Sequence, residues 1–217
     1  GIALWVFVIG HLVGNLQVFA GPDKINAYAA FLKSQPGLLW GARLGLLVVV
    51  AVHVASAVAL SAMNKAARPV PYGGGGAPYA ASYASRTMLM SGLIVAAFIV
   101  YHLLHYTLLM PAVNGTGVDF STLHQPLKDG GERHDVYRML VTGFRQPVVS
   151  GAYILAVGLL CLHLSHGLAA MFQSLGITRF SPECRGRFAK GVGVVIFLGY
   201  ASIPLAVLLG IVKEVAK

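Results

Sequence analysis

Charge is scarce in this chain. Of 217 residues, Lys and Arg number 16 and Asp and Glu only 7, together 11%; an ordinary soluble domain carries about 25%. That shortage excludes a soluble globular domain as the description of the whole. Cysteine occurs twice, as Cys161 and Cys184. Two are too few for a disulfide framework or a four-cysteine metal site, and they leave the redox compartment unread. The glycine run Gly73-Gly74-Gly75-Gly76 follows no strand and precedes no Lys-Ser/Thr. It reads as a flexible link and not as a phosphate loop. The start, Gly1-Ile2-Ala3-Leu4-Trp5, has neither an initiator Met nor the basic lead-in of a signal peptide. The expectation is that an N-terminal segment is missing and that the chain begins inside a helix.

What the chain has instead is apolar length. It is 57% hydrophobic with a mean hydropathy of +0.74. The apolar residues gather into runs of the ~20 needed to cross a bilayer. Five spans are expected, over residues 1–20, 39–64, 87–110, 147–173 and 188–212, forming one all-α transmembrane domain over 1–217. The net charge of +9 sits in short connecting loops, as in membrane proteins, so nucleic acid is not the expected partner. Residues 21–38 carry Ile25, Tyr28, Phe31 and Leu32 at helical spacing, an amphipathic interfacial helix. Residues 111–146 read as the longest loop, with His124 and His134 solvated in it. The 65–86 and 174–190 segments are short and basic, which places them in the cytoplasm, with the N-terminus inside and the C-terminus outside.

Four of these spans carry one histidine each near a matched depth: His11, His53, His102 and His163. A histidine inside a span is costly and marks a functional site by default. His11 and His102 each lie eight residues before the outer end of their span, about 12 Å deep. His53 and His163 each lie ten residues before the inner end, about 15 Å deep. Two pairs at two depths are what two bis-imidazole haem sites in a bundle need. Zinc would gather four ligands at one point instead. Core histidines that hydrogen-bond neighbouring helices are the bland alternative. Small residues near the ligands, Gly10, Gly14, Ala57 and Gly167, leave room for a haem plate. His105 and His166 follow three residues after His102 and His163, sharing a face with them. Either could ligate in their place, or contact a haem propionate or a quinone.

The runs Gly10-His11-Leu12-Val13-Gly14-Asn15-Leu16 and Ile25-Asn26-Ala27-Tyr28-Ala29-Ala30-Phe31-Leu32 resemble the cytochrome b membrane-anchor subunit of bacterial succinate dehydrogenases and fumarate reductases. So do Tyr101-His102-Leu103-Leu104-His105-Tyr106-Thr107, His163-Leu164-Ser165-His166-Gly167-Leu168 and Phe172-Gln173-Ser174-Leu175-Gly176. The resemblance spans nearly the whole chain. It implies two b haems, with His53 and His163 holding the proximal one and His11 and His102 the distal one. It also implies a quinone site, with menaquinone the expected quinone, and flavoprotein and iron–sulfur partners on the cytoplasmic face of a bacterial inner membrane. Some relatives place a glutamate two residues before the fourth ligand. Here that position is Cys161, and the spans hold no acid before Glu214, so a proton path through a buried carboxylate is not expected. Cys161 reads as a small apolar filler.

The expected function is therefore electron transfer from succinate, oxidised in a partner subunit, through haem to quinone. The dicarboxylate site would lie in another subunit. Arg43 and Arg86 are candidate propionate partners, although both also read as snorkelling interfacial arginines. Quinone donors could come from Ser56, Ser165, His166 and Arg86 at the inner end, or from Asn15, Gln17 and Tyr106 at the outer end. Two other readings stay open: a b-type subunit of another dehydrogenase or a hydrogenase, and a haem-free structural anchor.

Overall fold

The computed structural model describes residues 1–67, 87–177 and 179–214. Within them the chain is a bundle of seven α-helices: α1 (Ile2–Leu16), α2 (Pro22–Lys33), α3 (Pro36–Ala66), α4 (Met88–Tyr106), α5 (Val136–Phe144), α6 (Pro147–Ser174) and α7 (Pro182–Leu208). α1, extended by a 3₁₀ turn to Ala20, and α3, α4, α6 and α7 are long and apolar enough to cross a membrane. The protein is a multi-pass membrane protein. Arg86 and the glycine run at 73–76 lie outside the described residues.

Three span ends differ by four residues or more from expectation: the end of α4 and both ends of α7, which stops at Leu208 rather than 212. α4 stops at Tyr106 rather than near 110. Leu109 takes a left-handed φ of 53°, and Met110 is extended ahead of Pro111. A residue before proline is pushed out of the helical region, so the turn begins sooner than hydropathy shows. α7 starts at Pro182, six residues earlier than expected. Ser181 caps it by accepting the Cys184 N–H, and Pro182 occupies the first turn, where a missing N–H costs nothing.

α6 and α7 form the densest pair. Lipid is as apolar as leucine, so helices in a membrane associate through close packing rather than water exclusion. Glycines on α7 permit that approach. A side chain at Gly193 would meet the Cys161 carbonyl at 3.2 Å and Ser165 Cβ at 3.3 Å; one at Gly199 would meet Leu12 at 3.0 Å. Cys161 is buried in that seam with Trp5, Leu12, Leu164 and Ile196, as a small apolar filler. Tyr200 ties α7 to α1 by donating to the Val8 carbonyl at 2.7 Å. α3 is the opposite case: none of its 31 residues is buried.

One end of the bundle carries an ordered cap, built from the expected interfacial helix and from the segment at 111–146 that reads as a loop. It comprises α2, a hairpin pairing His124–Pro126 with Glu132–His134, and α5. α5 has its own sequence signal. Asp135 accepts the Arg138 N–H as N-cap, and Tyr137, Leu140, Val141 and Phe144 follow on one buried face. At the centre Asn26 is fully buried. It donates to Gln125 at 2.8 Å and Asp135 at 2.9 Å and accepts the Tyr137 N–H at 2.9 Å. Val18 and Ile25 pack against the α5 face. The last described residues join this end, since Tyr137 donates to the Lys213 carbonyl and Thr142 to Glu214.

Candidate functional site

The four span histidines fall into two pairs in space. His11 on α1 and His102 on α4 have ring centres 5.8 Å apart with planes at 82°. His53 on α3 and His163 on α6 have ring centres 6.2 Å apart with planes at 87°. The helices in each pair are not consecutive. Among the described residues no three His, Cys, Asp or Glu side chains converge on one point.

The pair nearer the cap sits in an aromatic box. His11 stacks on Phe7 at 5.2 Å, and Tyr200 lies 6.2 Å away. His102 has Phe98, Tyr106 and Tyr153 around it at about 6 Å between ring centres. The Tyr153 hydroxyl lies 3.4 Å from His102 Nδ1 and 3.1 Å from His105 Nδ1. With α4 ending at Tyr106, His102 lies one turn from its helix end, and His11 lies five residues from the end of α1.

The far pair has fewer neighbours. His53 is exposed on α3. His163 is half-buried, and its Nδ1 is buried with no hydrogen-bond partner among the described residues. Gly92 of α4 lies beneath the ring; a Cβ there would meet His163 Cε1 at 3.1 Å.

No protein-family model, curated protein or solved structure matches this chain. The motif resemblance therefore rests on the motifs alone, and the geometry must carry the chemistry. Two imidazoles bonded to opposite sides of one metal, with bonds of about 2 Å, hold their ring centres about 6 Å apart. Both pairs have that separation. Buried imidazole nitrogen without a partner, as at His163, is an expensive group that metal ligation would satisfy. The donor set and the spacing fit the axial ligation of haem.

The remaining candidates are placed unevenly. His105 is fully buried, stacked on Tyr106 at 3.9 Å, with Phe120 at 5.7 Å on a near-parallel plane. Its setting is a packed cluster rather than an open slot, and a side chain at Gly143 would collide with the Tyr106 hydroxyl. Asn15 donates to the His11 carbonyl of its own helix at 2.7 Å. Ser165 donates to the Leu162 carbonyl at 2.9 Å and lines an apolar groove of about 610 Å³ between α6 and α7. His166 is half-buried and Ser56 exposed. Arg43 lies over the Trp40 ring at 5.1 Å, a cation–π contact at the level where aromatic residues mark the membrane interface. Gly14 does not leave open space: the Tyr28 ring from α2 lies on it, 2.9 Å from where a Cβ would stand. Gly10 and Gly167 have nothing within 4 Å of that position.

Sequence reasoning missed Tyr153 altogether. A tyrosine in an apolar run gives no sign of what its hydroxyl will meet. It also missed the cap residues Gln125, Arg133 and Asp135. There Arg133 pairs with Asp23 at 2.9 Å and donates to Gln125. Asp23 is 88% exposed, so this ion pair contributes little beyond geometry. His134 is half-buried rather than solvated. Burial, then Lys33 and His124, holds its pKa below the usual histidine value.

Proposed function

We propose that this chain is the membrane-anchor cytochrome b subunit of a bacterial succinate:quinone oxidoreductase. It binds two haem b groups, one between His11 and His102 and one between His53 and His163. The observation that carries the reading is the meeting of four span histidines in two separate pairs, with ring centres 5.8 and 6.2 Å apart. Haem bound there supplies a one-electron ferric–ferrous couple.

The chain's own residues do the rest. The four histidines would hold the iron through neutral imidazole nitrogen, and the pairs would tie α1 to α4 and α3 to α6. Apolar and aromatic walls exclude water, which keeps the metal in a low-dielectric setting. All four ligands belong to one class, so any difference in potential between the two haems comes from neighbouring dipoles and charges. The capped pair has Tyr153 and two further aromatic rings, Phe98 and Tyr106, beside His102; the far pair does not. The capped end is read as outer. The far end, with Lys65, Arg179, Arg185 and Arg187, is then cytoplasmic and faces the flavoprotein and iron–sulfur subunits. Electrons pass from there to a membrane quinone, for which menaquinone is proposed. The dicarboxylate site lies in the partner subunits.

The test is a dithionite-reduced minus oxidised spectrum of the purified complex, with a pyridine haemochrome assay. The expected result is two b haems per chain, with succinate-oxidising subunits co-purifying. One haem means that a pair is misassigned. None removes the electron-transfer reading and leaves a structural anchor. Two haems with a different dehydrogenase co-purifying moves the chain to another complex.

A further inference from the structure

We infer that Tyr153 is the positioning residue of the outer haem ligand, fixing which nitrogen of His102 faces the iron and how strongly it donates. The inference rests on the outer haem site proposed above. Tyr153 lies on α6 at 6% exposure, enclosed by Phe98, Phe144, Tyr106 and Tyr101. Among these, Tyr101 already donates its hydroxyl to the Val113 carbonyl at 3.2 Å. The Tyr153 hydroxyl has two histidine nitrogens in reach, His105 Nδ1 at 3.1 Å and His102 Nδ1 at 3.4 Å. A phenol has one proton to give, so it donates to one ring and accepts from the other.

Ligation decides the direction. His102 Nδ1 faces Tyr153, so Nε2 is the nitrogen left for a metal. Ligation through Nε2 leaves the ring proton on Nδ1, and that N–H donates to the Tyr153 oxygen. The Tyr153 hydroxyl then donates to His105 Nδ1, which puts the His105 proton on Nε2. The chain His102–Tyr153–His105 has a single direction. A ligand histidine that donates its other N–H is a more basic ligand, and loss of such a partner weakens metal binding by about 10–100-fold.

Tyr153→Phe keeps the volume and removes the oxygen. The weaker ligand holds the ferric state less well, and the outer haem's midpoint potential rises. A tenfold loss of preference for the ferric state corresponds to about 59 mV for a one-electron couple. The inner haem's potential stays where it was. A His163→Ala chain, which retains only the outer haem, assigns the two waves. A merely structural tyrosine would alter haem content or thermal stability and leave the potential of the bound haem unmoved. An outer haem fully loaded in Tyr153→Phe at an unchanged potential overturns the inference and leaves the two-haem reading intact. If Tyr153→Phe does not retain the haem, His105→Phe is the deciding variant. Losing the acceptor for the Tyr153 proton raises the same potential by less, and no rise overturns the inference. An intact complex that contains no haem removes the proposed function, and this inference falls with it.

Discussion

The two histidine pairs are built by opposite strategies. The pair nearer the cap is enclosed: aromatic rings surround it, a tyrosine hydroxyl meets His102, and α2, the hairpin and α5 cover that end. The far pair joins a dense helix to a sparse one. His163 stands on α6, the helix packed against α7, with its ring against Gly92 of α4, while His53 stands exposed on α3, which buries nothing. Packing in lipid comes from close contact, and α3 lacks it. Placement of the outer pair is therefore a property of the packed chain. On the proposed reading, placement of the inner pair depends on what bridges His53 to His163.

The sharpest way to break that contrast is to remove one ligand at a time. His102→Ala and His163→Ala are each expected to reduce haem content from two to one per chain. Loss of haem from the inner site is also expected to free α3, seen as faster amide exchange over residues 36–66. Equal exchange of α3 in both variants would end the claim that the sites differ in kind. Gly92→Val is the next largest effect. Its side chain reaches His163, where even a Cβ stands 3.1 Å from the ring. Inner haem retention should fall by about tenfold with the outer haem unaffected, read by the two midpoint waves.

Asn26→Leu tests the cap. It removes three hydrogen bonds of a fully buried amide; Gln125 and Asp135 keep donors from Arg133 and Arg138, but the Tyr137 N–H loses its acceptor, at a cost of about 1–3 kcal/mol. Thermal denaturation in detergent should show the outer haem's spectrum lost at a lower temperature than in the unsubstituted chain, with the inner one unshifted. The smallest effect is one of pH. His134 has its pKa lowered by burial, then by Lys33 and His124. The unfolded hairpin therefore binds more protons, and stability rises with pH. Protection of hairpin amides should be full above the unfolded value of about 6.5 and fall as the pH drops below it. His134→Gln should flatten that dependence.

Much of this was legible along the chain because a bilayer imposes length and polarity rules that act locally. Five runs of apolar residues needed no tertiary information, and Pro36, Pro147 and Pro182 mark three helix starts. α5 was legible too, from Asp135 and the apolar positions at 137, 140, 141 and 144, but four acids and four bases over residues 111–146 made the segment read as a loop. Gly14 shows the reverse difficulty. A glycine three residues past His11 reads as room for a cofactor, yet Tyr28 fills it, because an interfacial helix folds back onto α1. Nothing in the residues around position 153 announces that its hydroxyl ends between His102 and His105.

The amino-acid sequence by itself determined the number of spans, their order and which histidines lie toward the same end of the bundle, because rise per residue converts position into height; the depth of His102 was overestimated, since α4 stops at Tyr106. Height says which histidines could face one another, and it says nothing about which faces of the helices turn inward. That was decided by tertiary structure: by the glycine contacts that set α7 against α6 and α1, by the buried Asn26 that locks the cap, and by the rotation of α6 that carries Tyr153 to His102. Rotation about a helix axis has no cost in a uniformly apolar run, so only contacts between helices can choose it.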